Sequence, residues 1–204
     1  MGQVPAATRA LRVLRFLASQ PEPTSIDRIM RACGLPRSTA YHLLTAMAEE
    51  GFVAHLAVLH GRDVLYVVEE RAPGRPPLVT DVGVRLPAHL TASGRAILAA
   101  LPSAQVRALY PDADAFVDRH GTGPRTLSQL RTLLSDTRQR GYAIEEGEVT
   151  PGLSSVASAA LDHNEHPVAG IALTFADGEV ADLAAAVRRA ASALGRRLGG
   201  LDRQ

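Results

Sequence analysis

The chain has 204 residues, 46% of them hydrophobic and 21% charged, and a formal net charge of +1. That length buries one real core and leaves room for a small domain beside a larger one, and the near-neutral balance carries no global basic field of the kind that announces nucleic acid. The single cysteine, Cys33, excludes an internal disulfide or a cysteine zinc cluster and suits a reducing cytoplasm. Neither a signal peptide nor a membrane-spanning apolar run is expected.

Charge is distributed less evenly than its total suggests. All 22 basic residues are Arg, which reads as a coding bias of the source genome. Residues 1–48 hold six of them, Arg9, Arg12, Arg15, Arg28, Arg31 and Arg37, against Glu22 and Asp27, a local surplus of four positive charges.

In chain order, Thr8 can cap a first helix to Ser19 with an apolar stripe of Leu11, Leu14 and Leu17 or Ala18, and Pro21 and Pro23 break the chain after it. Thr24 and Asp27 form a capping signal for a second helix that buries Ile26, Ile29, Met30 and Cys33, and Gly34 closes it. Pro36 opens a third, whose Ala40, Leu43, Leu44 and Met47 lie on one face. The opposite face keeps Arg37, Ser38, Thr39, Tyr41 and His42, together with Thr45. Arg reaches guanine edges or phosphate, hydroxyls reach phosphate and either kind of base, and a helix N-terminus favours a phosphate, so the five form the candidate DNA-reading set of a helix-turn-helix. The same polar face would also suit any surface helix.

Beyond Ala54 the period changes. His55–Leu59 and Val64–Val68 are β-rich runs that read as a hairpin turning near His60–Asp63. A Pro/Gly-rich connection, Ala72–Pro77, leads to a candidate strand, Leu78–Val84. Thr91 or Ser93 then opens a helix that buries Ala96, Ile97 and Ala100. A short helix at Ser103–Leu109 and an irregular acidic loop to Gly123 follow. Thr126–Arg140 repeats Leu127, Leu130, Leu133 and Leu134 at helical spacing, and Gly141 stops it. Strands are expected at Tyr142–Ile144, Leu153–Leu161 and Pro167–Phe175, the last two joined by a polar turn, before a final amphipathic helix, Val180–Leu198.

Two groups of strands with helices between and after them give an α+β fold rather than a doubly wound nucleotide fold. The sequence carries no G-x-S-x-G, no P-loop and no G-x-G-x-x-G after a strand, so no enzyme is expected, and no cofactor or metal is called for. His163 and His166 read as surface polar residues of a turn, and His89 as either structural or ligand-facing. Glu145, Glu146 and Glu148 read most simply as a solvated strand end and, less simply, as part of a polar pocket.

Several stretches together resemble the IclR (isocitrate lyase regulator) family of bacterial transcription factors. They are Ala10–Ser19, Gly34–Leu44 with Glu50–Val53, the hairpin His55–Val67, Val82–Thr91 with Gly94–Ala96, Arg140–Tyr142 and Gly152–Ala157. The resemblance implies a winged helix-turn-helix over residues 1–53 and a GAF-like effector-binding domain over 54–204. It also implies homo-oligomers on double-stranded operator DNA, and control of catabolic genes, as a repressor or activator in the cytoplasm, in response to a small organic-acid or aromatic metabolite. One departure stands out. Gly51-Phe52-Val53 runs straight into Ala54-His55-Leu56, where the family continues through a β-wing, a linker helix and a first effector-domain helix. An alternative is therefore a metabolite-binding or protein-interaction module whose DNA binding is impaired. Carried over residue by residue, the effector site falls on Ala92 and Ser93, whose N–H groups would face an acid, and on Glu145, Ser155, Ala172 and Thr174. Ala172 replaces the small polar residue often found at its position.

Overall fold

The structure is a computed structural model, and it describes residues 53–71, 78–176 and 180–198. The three helices expected in residues 8–50, the expected DNA-reading face with Arg37, Ser38, Thr39, Tyr41 and His42, and the 72–77 connection lie outside the described residues. Within them the hairpin forms where the alternation placed it. Val53–His60 (β1) pairs antiparallel with Asp63–Arg71 (β2) around Gly61 and Arg62, with one irregularity of register between Leu56 and Ala57. Four further strands complete one sheet: Arg85–Pro87 (β3), Ala143–Glu146 (β4), Ser154–Leu161 (β5) and Pro167–Phe175 (β6). Their order is β3-β2-β1-β6-β5-β4, antiparallel throughout, so β1 and β6, far apart in sequence, lie side by side in its centre.

The expected strand at Leu78–Val84 does not form. The Asp81 carboxylate accepts the Val82 N–H at 2.7 Å, the Asp81 carbonyl accepts the Val84 N–H at 3.0 Å, and Gly83 adopts φ +88°. This local turn chemistry outcompetes the β propensity of the valines, and a strand begins only at Arg85, beside β2. The four expected helices appear as Ala92–Ala100 (α1), Ser103–Leu109 (α2), Leu127–Arg140 (α3) and Val180–Arg197 (α4). Of the two candidate caps for α1, Thr91 accepts the Gly94 N–H at 3.0 Å. Thr126 caps α3, and Gly141 ends it in the left-handed conformation.

Alternation along each strand then divides the sheet into two faces. One carries Ala54, Leu56, Val156, Ala169, Ile171 and Phe175 and packs, over β5 and β6, against Leu183, Val187, Ala190 and Ala191 of α4. Each of the larger of these side chains adds roughly 1.5–3 kcal/mol by leaving water. The other face is unusually small-sided next to α1: Ala143, Ala157 and Ala172 meet Ala92 and Ala96 of the helix. Close approach is enforced at two glycines. A Cβ on Gly170 of β6 would lie 2.8 Å from the Ser93 carbonyl oxygen, and one on Gly94 would lie 2.2 Å from that of Ala88. Only hydrogen at these positions lets the N-terminus of α1 settle against the sheet.

Candidate functional site

Where α1 begins, the sheet beneath it changes from alanine to polar residues, and a narrow hollow open to solvent is left between them. Register explains which residues meet there. His55 on β1 stands beside Ala172 on β6, Thr174 beside Ser155 on β5, and Ser155 beside Glu145 on β4, all on the α1 face. Tyr66 of β2 reaches the same hollow, Thr91, Ala92 and Ser93 of the helix start form one wall, and Val149, Thr150 and Leu153 from the β4–β5 connection form another. Leu78 and Thr80 complete the lining. Thus Ala92, Ser93, Glu145, Ser155, Ala172 and Thr174, from four separate elements, all line one pocket.

Its polar groups are only partly satisfied by the protein. The hydroxyls of Ser155 and Thr174 bond one another at 3.0 Å. Ser93 is 1% exposed, yet its Oγ has no hydrogen-bond partner of good geometry. The N–H groups of Ala92 and Ser93 belong to the first turn, where no preceding helical carbonyl is available to them. A buried hydroxyl with only the Tyr66 phenol close by and helix-end amides beside it form an acceptor-seeking corner.

Glu145 faces that corner. Its carboxyl, 3% exposed, accepts the Val149 N–H at 2.9 Å. Burial pushes its pKa up to about 7; the Val149 hydrogen bond and Ser155 pull it down, and Glu148 adds to the rise. The solvated strand end expected from the acidic run therefore holds for Glu146 alone, which is exposed. Glu148 turns instead to Arg95 of α1, at 2.7 Å. Burial acts to raise the Glu148 carboxyl, but Arg95 outweighs it and holds the group below the ordinary carboxylate range. Arg95 also donates to the carbonyls of His89 (2.9 Å) and Ile144 (2.8 Å), which fastens the helix start to β4.

On the other side of the hollow, His55 Nε2 lies 2.8 Å from Thr80 Oγ1 and 3.3 Å from Glu69, whose carboxylate also receives Arg71. Burial would raise the Glu69 pKa, and His55 and Arg71 together lower it. Burial pushes the Tyr66 phenol far up, with Glu145 adding to the shift and the nearby Thr91 and Ser93 hydroxyls opposing it, so that ring is neutral. His55, Tyr66 and Thr80 escaped sequence reasoning. The available signal was a histidine set among inward-facing apolar residues of a strand; Thr80 gave none, because its segment is a turn. His89 resolves as structural: its ring packs edge-on against Tyr110 and Phe116 and its Nε2 meets the Val117 carbonyl at 3.0 Å, outside the pocket. The ring of His163 turns to the Asn164 side-chain amide. Among the described residues no cluster of three potential metal ligands occurs, and no helix is long and apolar enough to cross a membrane.

An antiparallel sheet with a helix N-terminus set over a polar, half-closed hollow defines a small-molecule-binding domain of the GAF-like kind. The profile of the family described as "Bacterial transcriptional regulator IclR C-terminal" matches residues 30–196, and the chain belongs to this family of transcriptional regulators. It is similar to the glycerol operon regulatory protein of Streptomyces coelicolor, 29% identical over 244 aligned positions that cover 94% of this chain and 95% of that protein. Among solved structures, the repressor BlcR of Agobacterium tumefaciens is 26% identical with a TM-score of 0.68, covering 98% of this chain and 99% of that one. The inducer-binding domain of the PobR transcription factor from Acinetobacter, solved with 3-hydroxybenzoic acid, has a TM-score of 0.67, covers 78% of this chain and 97% of that one, and at 18% identity shares the fold alone. The relatives are regulators of transcription, and the chain is not an enzyme.

Proposed function

We propose that the chain is a cytoplasmic regulator of catabolic genes whose effector is a small organic or aromatic acid bound in the pocket under α1. The observation that carries this reading is the buried hydroxyl of Ser93, with only the Tyr66 phenol near it and no well-formed hydrogen bond, beside the first-turn N–H groups of α1. Donors fixed in that way recognise an anionic oxygen without reorganising, and the Ser155–Thr174 pair opposite offers hydroxyls to the rest of the molecule. In this reading the operator is read by Arg37, Ser38, Thr39, Tyr41 and His42, and the protein works as a homo-oligomer. His55 lines the pocket two residues into β1, whose first residue adjoins the DNA-reading segment in sequence, which offers a short route between effector and operator.

A specific observation favours a second reading, in which DNA binding is impaired. Of the 244 positions aligned with the Streptomyces coelicolor regulator, 94% of this 204-residue chain supplies only about 192, so about fifty positions have no residue here. That length suits the wing, linker helix and first effector-domain helix expected where Val53 instead runs straight into Ala54.

A gel shift with DNA from upstream of the protein's own gene, at two salt concentrations and with 3-hydroxybenzoate, acetate or neither, separates the readings. Salt-sensitive binding altered by an acid supports the first. Absence of any shift at the lower salt, with an acid still bound in solution, supports the second. Failure of every acid to bind overturns the effector assignment in both.

A further inference from the structure

The pocket proposed for an acid already contains one. The Glu145 carboxyl lines the same hollow as Ala92, Ser93, Ser155 and Thr174 and is almost wholly removed from solvent. Among the described residues no arginine or lysine lines that hollow, and Arg95, whose charge reaches Glu145 from behind the lining, is already paired with Glu148. Two ionised carboxylates confined there, a few Å apart and partly desolvated, repel strongly, and one of them takes a proton. We infer that the pocket binds a monocarboxylate together with one proton from solvent, shared between the ligand and the Glu145 side chain. The inference rests on the effector reading above and specifies the form in which the effector is held.

The surroundings of Glu145 assign the proton to it rather than to a neighbour. From β2, Tyr66 presents a phenol that burial keeps neutral. From β1, His55 directs Nε2 to Thr80 and to Glu69, and Glu69 is itself neutralised by Arg71. From α1, Arg95 is held by Glu148 and by the carbonyls of His89 and Ile144. That same pair occupies Glu148, the other carboxylate close by, and leaves it ionised. Ser155, Thr174 and Thr150 are uncharged. Among the carboxylates described around the hollow, Glu145 is the one without a cationic partner at hydrogen-bond distance, held by one backbone N–H and nearby hydroxyls, and its pKa of about 7 makes the proton available near neutrality. A protonated Glu145 becomes a donor, so the ligand's carboxylate would meet the helix-end amides on one side and an O–H on the other. The chemistry favours acids over their amides, and it opposes cationic ligands, for which an ionised Glu145 would give the reverse pH dependence.

Calorimetric titration of the full chain with 3-hydroxybenzoate and with acetate, in buffers of different ionisation heat from pH 6 to 8, tests this directly. Net proton uptake should be about half a proton at pH 7 and approach one at pH 8, and affinity should weaken roughly tenfold from pH 6 to pH 8 as the free carboxyl ionises. Glu145→Gln should bind with no uptake and little dependence on pH. Acid binding without uptake in the unmodified protein overturns the inference and leaves the effector reading standing. Uptake that persists in Glu145→Gln overturns the assignment to this residue. Absence of any acid binding removes the effector reading and the inference with it. Should Glu145→Gln fail to fold, the buffer dependence of the unmodified chain still decides whether a proton is taken up.

Discussion

Replacing Arg95 by Met should separate the fold's internal support from its ligand site. The guanidinium is 3% exposed and holds three acceptors at once, the Glu148 carboxylate at 2.7 Å and the carbonyls of His89 and Ile144 at 2.9 and 2.8 Å. Met keeps much of the aliphatic volume but removes every donor, leaving a carboxylate at 13% exposure without its countercharge. Breaking one side of a buried pair in this way costs about 3–5 kcal/mol. For a domain of 150–250 residues that corresponds to a fall in Tm of roughly 6–20 °C. The pH dependence gives a sharper check. Burial raises the Glu148 pKa, Arg95 outweighs it, and the net folded value lies below the ordinary one, so the pair's contribution is complete above the unfolded pKa of 4.5 and is lost as pH falls through the folded value. Without Arg95 the buried carboxyl resists ionisation, and the deficit should be largest at pH 7 and narrow toward pH 4. Urea unfolding of both proteins at the two pH values measures it. A deficit below about 1 kcal/mol, or one equal at pH 4 and pH 7, refutes the reasoning.

Three other outcomes are expected. Gly170→Ala places a methyl 2.8 Å from the Ser93 carbonyl, between β6 and the helix start, and overpacking of this kind should cost about 1–3 kcal/mol in urea unfolding while weakening acid binding through displacement of Ser93. Arg37→Ala should cost about 1–3 kcal/mol of operator affinity and relax preference at one base position, as read by gel shifts on a set of single-base variants; unchanged affinity and preference would remove the recognition-helix assignment. A family wing and linker inserted between Val53 and Ala54 should tighten operator binding by more than tenfold, or about 1.4 kcal/mol, in the same assay. A chain that already binds a palindromic operator tightly as a discrete dimer would contradict that expectation.

Much of the fold could be read from local signals because those signals and the tertiary structure agree. The hairpin around Gly61, the caps at Thr91 and Thr126, the stop at Gly141 and the span of β6 each depend on a few adjacent residues. The strand expected at Leu78–Val84 failed for the same reason that others succeeded: Asp81 and Gly83 form a local turn that alternation does not register. The site was legible in a different way. Nothing in the sequence near Glu145 says that its side chain is buried and that of Glu146 exposed; the assignment needed either a family resemblance or the pairing of β4 with β5, which fixes which of the two faces α1. Tyr66 and Thr80 joined the pocket only through the sheet order and a turn, relations that no short window contains.

The central claim is that the hollow under α1 is the effector site, and calorimetry on a paired variant tests it most directly. In Ser155→Val with Thr174→Val the mutually bonded hydroxyls are removed together, so neither leaves the other unsatisfied; Glu145 loses the Ser155 hydroxyl but keeps the Val149 N–H, and urea unfolding checks that the sheet is retained. Titrated with the hydroxy acids that bind the unmodified chain, the double variant should lose roughly tenfold in affinity, since two hydrogen bonds to the uncharged part of the ligand contribute about 0.5–1.5 kcal/mol each. Equal affinity in a variant that unfolds at the same urea concentration as the unmodified protein would show that the acid binds elsewhere.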